Sequence, residues 1–292
     1  MRAFALSAAI LAGMPGVAGA QIEIHAHRGG PLATVDGQVV PVAPENSLRA
    51  FEHAHANGYV VELDVKPARD GVPVVIHDST LDRTTNCSGL VSDFTAAELS
   101  RCRLDVIGTA GVTAPNTEPD RIPRLDETLE WAKSSGARLS VEIKRANTAR
   151  PPAFAATVVA SLDASGVERE QVLVQSFWPP DLDLARSSGW RTLLLAPKER
   201  SRGAPALASA RGYDVLSVEG PLRAGFMEAV RLHDLLSAKW PLRGDFLETA
   251  GGRPVLAWTL NHPAEIAGAL ADGVDGIVSD NPGLVRGLVA AG

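Results

Sequence analysis

The chain reads as an α/β protein whose pattern suggests a (β/α)8 TIM barrel. Short β-branched runs alternate with helical stretches along the 292 residues, the order that lays parallel strands side by side under covering helices. The strand candidates number eight, as in a closed parallel barrel. The length, about 270 residues without an N-terminal leader, suits one such domain. A doubly wound sheet alternates in the same way, so periodicity alone does not close the barrel.

Residues 1–20 read as a cleavable signal peptide. Arg2 gives a positive start, Ala3–Ala12 an apolar run, and Ala18-Gly19-Ala20 a small-residue cleavage site. The apolar run is shorter than the roughly 20 residues of a membrane span, and no later run is long enough. The expected product is an exported domain of residues 21–292, periplasmic or secreted, with no integral membrane segment after cleavage.

Ile22–Ala26 is the first strand candidate, closed by His27, with Arg28-Gly29 turning the chain. Asp36-Gly37 lies between Thr34 and Val40 as a hairpin signal and is expected to form a flap over the site. Asn46 and Ser47 are cap candidates for a helix over Ser47–Asn57. Val60–Val65 is the second strand candidate. An insertion of about 67–124 follows, with an extended run Val72–Ile76, His77-Asp78 and both cysteines. Next come helix Leu125–Ser135, strand Arg138–Ile143, helix Pro152–Ser165, strand Gln171–Gln175 and helix Asp181–Ser188. The remaining strands are Arg191–Leu195, Asp214–Val218, Pro254–Thr259 and Gly276–Val278, with helices Pro263–Ala271 and Pro282–Ala290. Asp280-Asn281-Pro282 reads as the start of the last helix. The long segment Gly203–Arg253 is expected to shape the site mouth.

A formal charge of −6 is not that of a chain built to coat nucleic acid, so any affinity for phosphate must be local. Cys87 and Cys102 are the only cysteines. An exported chain meets an oxidising compartment, so they are expected to pair, with two free thiols as the alternative.

Glu62 and Asp64 are two apart on a strand, so both point to one face. Two such carboxylates repel unless a cation lies between them, and oxygen-only ligation favours magnesium or calcium. A surface acidic pair is the alternative, against which stand the apolar neighbours Val61, Leu63 and Val65. His27 and His77 end extended runs, where barrel sites lie, and an imidazole serves as acid or base near neutral pH. The Arg28 guanidinium suits phosphate oxygens. His25 shares the face of His27 one layer deeper and reads as a buried, hydrogen-bonded core histidine.

In order along the chain, His27-Arg28-Gly29, Pro44-Glu45-Asn46-Ser47, Glu62-Leu63-Asp64, Asp70-Gly71, His77-Asp78 and Leu81-Asp82-Arg83-Thr84-Thr85 resemble the motifs of the glycerophosphodiester phosphodiesterases. Glu142-Ile143-Lys144, Gln175-Ser176-Phe177, Trp258-Thr259-Leu260-Asn261 and Ser279-Asp280-Asn281-Pro282 continue the resemblance almost to the C-terminus. It implies the barrel, with a small insertion after the second strand. It makes His27 and His77 catalytic and adds Glu142 to Glu62 and Asp64 around one divalent cation, Mg2+ or Ca2+. Lys144 would reach a phosphate oxygen; a plain Glu142–Lys144 ion pair is the other reading. Glu45 and Asn46 would support the site from behind, with capping as the alternative. Trp258 and Phe177 either line the glycerol side of the pocket or pack in the core.

The expected reaction is metal-dependent hydrolysis of a small-molecule glycerophosphodiester to glycerol 3-phosphate and an alcohol, with His77 as base and His27 as acid. A phosphodiesterase for lysophospholipids or phosphate-linked polymers is one alternative. A non-catalytic phosphate-ligand binding protein is another, though binding alone needs no acid–base pair. Oligomeric state is not legible.

Overall fold

The structure is a computed structural model that describes residues 22–112, 114–144, 151–220 and 244–291. The expected leader, residues 1–20, and the stretch 221–243 of the long Gly203–Arg253 segment lie outside the described residues.

Eight parallel strands close into a barrel: β1 (Glu23–Ala26), β4 (Val60–Pro67), β6 (Leu139–Ile143), β7 (Val172–Ser176), β8 (Arg191–Ala196), β9 (Val215–Glu219), β10 (Val255–Trp258) and β11 (Gly276–Ser279). The seam is made where β1 pairs with β4, His25 opposite Val60 and Ala26 opposite Val61. That pairing excludes the open doubly wound sheet. The hairpin β2 (Leu32–Val35) and β3 (Gln38–Pro41) stands apart, and β5 (Pro73–Val75) runs antiparallel on β4. The helices are α1 (Leu48–Ala56), α2 (Ala96–Leu99), α3 (Leu125–Ser135), α4 (Pro151–Ser165), α5 (Pro179–Ser187), α6 (Ala204–Arg211), α7 (Gly244–Thr249), α8 (Pro263–Asp272) and α9 (Pro282–Ala291).

Alternation along each strand separates two cores. Val61, Leu63 and Val65 of β4 and Leu139, Val141 and Ile143 of β6 pack outward under the helices. The inward set differs around the circumference. Leu173, Leu193, Leu195, Val215, Leu256 and Val278 form an apolar cluster inside the barrel, with Phe177 and Trp258 above it. On the opposite arc the inward positions are His25, Glu62, Asp64, Lys66, Ser140 and Glu142, all buried. One half of the interior is therefore packed like an ordinary core, while the other half carries charge.

Residues 68–122 have a small core of their own, built from Ala68, Val74, Ile76, Leu81, Val91, Leu99, Leu104 and Ile122. A disulfide joins Cys87 and Cys102 within it. Replacing both cysteines with serine is expected to lower stability by about 3 kcal/mol, the loop-entropy value for a loop of this size. Urea unfolding checks this; an unchanged midpoint would mean that the satellite core holds the segment unaided.

Candidate active site

The site lies at the C-terminal ends of the strands. After β1 the chain reverses within one tight turn, His27–Gly29, in which Arg28 (φ 52°) and Gly29 (φ 89°) are both left-handed. Gly29 is required there: a methyl group in its place would lie 2.7 Å from Cβ of Ala50 and 2.9 Å from the Phe51 ring. The turn presents His27 and Arg28 to the cleft and frees the Arg28 amide to donate to Glu62 Oε2 at 2.7 Å.

Glu62, Asp64 and Glu142 converge, each with an oxygen within 4.8 Å of the others, and all three are buried. Gln175 Nε2 donates to Glu62 Oε1 at 2.7 Å. Asn46 Nδ2 donates to Asp64 Oδ2 at 2.9 Å, and Asn46 Oδ1 accepts from the Asp64 amide. Lys144 Nζ lies 2.8 Å from Glu142 Oε1 and 3.1 Å from Asp64 Oδ1, the ion-pair arrangement. Apart from that ammonium, those two buried oxygens have no hydrogen-bond partner. Three converging carboxylates, two of which keep an oxygen engaged only by Lys144, fit a hard divalent cation. Burial and the neighbouring Asp64 carboxylate push Glu62 up to about 8. Burial also raises Glu142, to about 7, with Lys144 opposing and Asp64 adding to the rise. Burial opposes ionisation of Asp64 too, but Lys144, His77 and Arg28 outweigh it and hold Asp64 well below the usual carboxylate range.

His27 Nδ1 donates to Asp280 Oδ1 at 2.7 Å. Burial alone would lower the His27 pKa; the Asp280 charge and hydrogen bond overcome it and the net shift is upward. Asp280 itself is gripped by Asn261, whose Nδ2 donates to it and whose Oδ1 accepts from its amide. His77 Nδ1 donates to Asp78 Oδ1 at 2.7 Å. Here burial prevails over Asp64 and Asp78, and the His77 pKa is lowered.

The structure thus brings together His27, Arg28, His77, Glu62, Asp64, Glu142 and Lys144. Phe177 and Trp258, ring centroids 5.5 Å apart and edge to face, line the same cleft with Leu195 and Val278. Two expectations are corrected, for Asp280 and for the hairpin. Asp280 does not serve only as a helix start; it holds His27. Of the two readings of Asn46, the geometry favours support of the site over capping: Ser47 caps α1, accepting from the Ala50 amide, while Asn46 (φ 56°) turns onto Asp64. The hairpin is no flap: none of its residues lines the cleft, and Thr34 instead accepts from Asn281 Nδ2 at 2.6 Å. His25 is buried and bonds Glu23 Oε2 at 3.0 Å, away from the cleft. Sequence reasoning gave Gln175, Asn261 and Arg83 no role, and Asp280 only that of a helix start. Alternation would have found Gln175 and Asp280, which continue the inward positions of β7 and β11.

Acidic, basic and imidazole side chains gathered at the strand ends of a closed barrel make this a (β/α)8-barrel enzyme. The sequence model of the glycerophosphoryl diester phosphodiesterase family matches residues 27–284. The chain belongs to that family of phosphoric diester hydrolases. It is similar to a glycerophosphodiester phosphodiesterase of Caldanaerobacter subterraneus subsp. tengcongensis, 30% identical over 251 residues, which are 85% of this chain and 93% of that protein. In fold it resembles an Oleispira antarctica phosphodiesterase solved in complex with the product sn-glycerol-3-phosphate, with a TM-score of 0.68, 23% identity, and coverage of 92% of this chain and 96% of that one. A glycerophosphodiester phosphodiesterase of Agrobacterium tumefaciens str. C58 superposes with a TM-score of 0.65 at 23% identity, covering 91% of this chain and 100% of that one.

Proposed function

We propose that this chain hydrolyses glycerophosphodiesters to glycerol 3-phosphate and an alcohol by histidine acid–base catalysis, with Glu62, Asp64 and Glu142 holding one Mg2+ or Ca2+. The observation that carries this reading is the convergence on one cleft of two histidines, each held by a carboxylate at 2.7 Å, with the Glu62, Asp64 and Glu142 cluster. A base must be neutral to accept a proton, and an acid must be charged to give one. His77, lowered, suits the base; His27, raised by Asp280, suits the acid.

A bound divalent cation would supply electrostatic neutralisation of the phosphate and of the charge that develops on it. The side chains do the rest. Arg28 offers its guanidinium to a phosphate oxygen, kept charged by Asp64, Glu45 and Glu62 against the opposing effect of burial. Nδ1 of His77 is engaged by Asp78, so Nε2 takes the proton of the attacking hydroxyl. Nε2 of His27 returns a proton to the leaving alkoxide. Phe177 and Trp258 wall the glycerol side. Asp280→Asn is expected to move the alkaline limb of the kcat profile to lower pH, because the charge that raises His27 is gone. An unmoved limb would detach Asp280 from the acid.

Release of glycerol phosphate from glycerophosphocholine, with EDTA and then with added magnesium or calcium, tests the reading. Metal-restored release supports it. No release from the folded protein with either metal removes it. The apolar arc of Phe177, Leu195, Trp258 and Val278 favours a second reading, a lysophospholipid substrate, and higher turnover on a lysolipid than on glycerophosphocholine would select it. Export to a periplasm or beyond is proposed with the disulfide as support. Among the described residues no helix is long and apolar enough to cross a membrane.

A further inference from the structure

The Leu81-Asp82-Arg83-Thr84-Thr85 motif contributes no group to the cleft, yet Arg83 makes contact with both sides of it. Arg83 Nε donates to Asp78 Oδ2 at 2.6 Å and Nη2 to Asp78 Oδ1 at 3.0 Å. Nη1 donates to Glu45 Oε2 at 2.8 Å and Nη2 to Glu45 Oε1 at 2.6 Å. Nη1 also reaches the Gly108 carbonyl at 2.8 Å. All five N–H groups are used. Asp78 in turn holds His77, and Glu45 accepts from Arg28 Nη1 at 2.9 Å. Charges alternate along one chain of contacts: His77, Asp78, Arg83, Glu45, Arg28 and then Asp64, whose Oδ2 is 3.6 Å from Arg28 Nε.

We propose that Arg83 is a positioning residue that sets the His77 imidazole and the Arg28 guanidinium in one rigid frame, and so fixes the distance between the base and the phosphate. The proposal rests on the reaction proposed above. A planar fork that grips two carboxylates at once defines their mutual angle; an ammonium, a point charge with three rotating donors, does not. The frame also selects the His77 tautomer. Asp78 accepts from His77 Nδ1 while both its oxygens are held by Arg83, so the proton stays on Nδ1 and Nε2 keeps its lone pair toward the cleft.

The motif is built to hold Arg83 still. Leu81 is fully buried in the satellite core, the Thr85 hydroxyl donates to the Leu81 carbonyl at 2.8 Å, and the Thr84 carbonyl accepts from the Asp105 amide at 2.7 Å. Gly108 (φ +82°) lets the next loop close over it, for a methyl there would lie 2.7 Å from Cγ and 2.8 Å from the carbonyl oxygen of Arg83.

The test compares kcat and KM on glycerophosphocholine, per folded molecule and with saturating metal, for wild type, Arg83→Lys, Arg83→Gln and Gly108→Ala. Both Arg83 variants are expected to lose at least about 10-fold in kcat and to raise KM, with metal affinity by calorimetry unchanged. Lysine restores the charge but should not restore the rate. Gly108→Ala, remote from the cleft, should fall in the same direction. In a cycle with Asp78→Asn, the losses should not add, because both act through His77. Wild-type kcat in Arg83→Lys, or additive losses in the cycle, overturns the proposal. If Arg83 variants do not fold, Gly108→Ala and the Glu45→Gln variant decide it on the same readout. No turnover by wild type removes the reaction reading and the proposal with it, whereas an active wild type beside an equally active Arg83→Lys removes the proposal alone.

Discussion

Asp64→Asn is expected to show no heat of binding with magnesium or calcium and to hydrolyse glycerophosphocholine at least about 10³-fold more slowly than wild type. The substitution keeps the shape of the side chain and removes only its charge. Asp64 is the carboxylate whose pKa Lys144 and Arg28 hold well below the usual carboxylate range. Its Oδ1 is engaged by the Lys144 ammonium alone, so a cation that displaces the ammonium can take that oxygen. Glu62 is different, because Gln175 and the Arg28 amide engage both its oxygens. Removing one partner from a buried charge set commonly costs about 3–5 kcal/mol, so a melting curve must accompany the kinetics. A folded Asp64→Asn protein that titrates metal like wild type would remove Asp64 from the ligand set.

His27→Ala and His77→Ala should each slow turnover by about 10²-fold or more, and they should do so with different pH signatures. Catalysis needs neutral His77, whose pKa lies below the ordinary value of about 6.5, so wild-type kcat rises with pH through that lowered value. Catalysis also needs protonated His27, whose pKa is raised, so kcat falls as pH climbs through the higher value. The profile is a bell that spans the ordinary imidazole range. His77→Ala is expected to lose the acidic limb and keep the alkaline one; His27→Ala should do the reverse. Exchanged limbs would exchange the roles. Near-wild-type turnover in either variant would take that histidine out of the mechanism.

The barrel was legible because its outward strand positions are buried β-branched and aliphatic residues, and each of the eight strand candidates lies within a residue or two of the observed strand. Alternation was enough to put Glu62 beside Asp64 and His27 at a strand end. The closing of the sheet was not legible, since it depends on the pairing of His25 with Val60 and not on any local pattern. Long-range polar partners were hidden for a related reason. Asp280 is 253 residues from His27, and its neighbours Asn281 and Pro282 already explain it as the start of a helix. Asn46 was ambiguous beside Ser47 because both residue types cap helices; only the left-handed backbone of Asn46 tells which one turns to the cleft. Helix α6 was missed inside a segment read merely as long.

Lys144 gives the carboxylate cluster a counter-ion that is covalently part of the chain. A dication arriving at Glu62, Asp64 and Glu142 therefore does not enter bare negative space; it competes with an ammonium already seated against Asp64 and Glu142. The competition weakens ion binding relative to three unshielded carboxylates, which ties the loaded fraction to the ion supply of the surroundings. In the reading proposed above, loading would free that ammonium for a phosphate oxygen. Ion and substrate should each bind more tightly in the presence of the other, a dependence that one lysine builds into the resting protein.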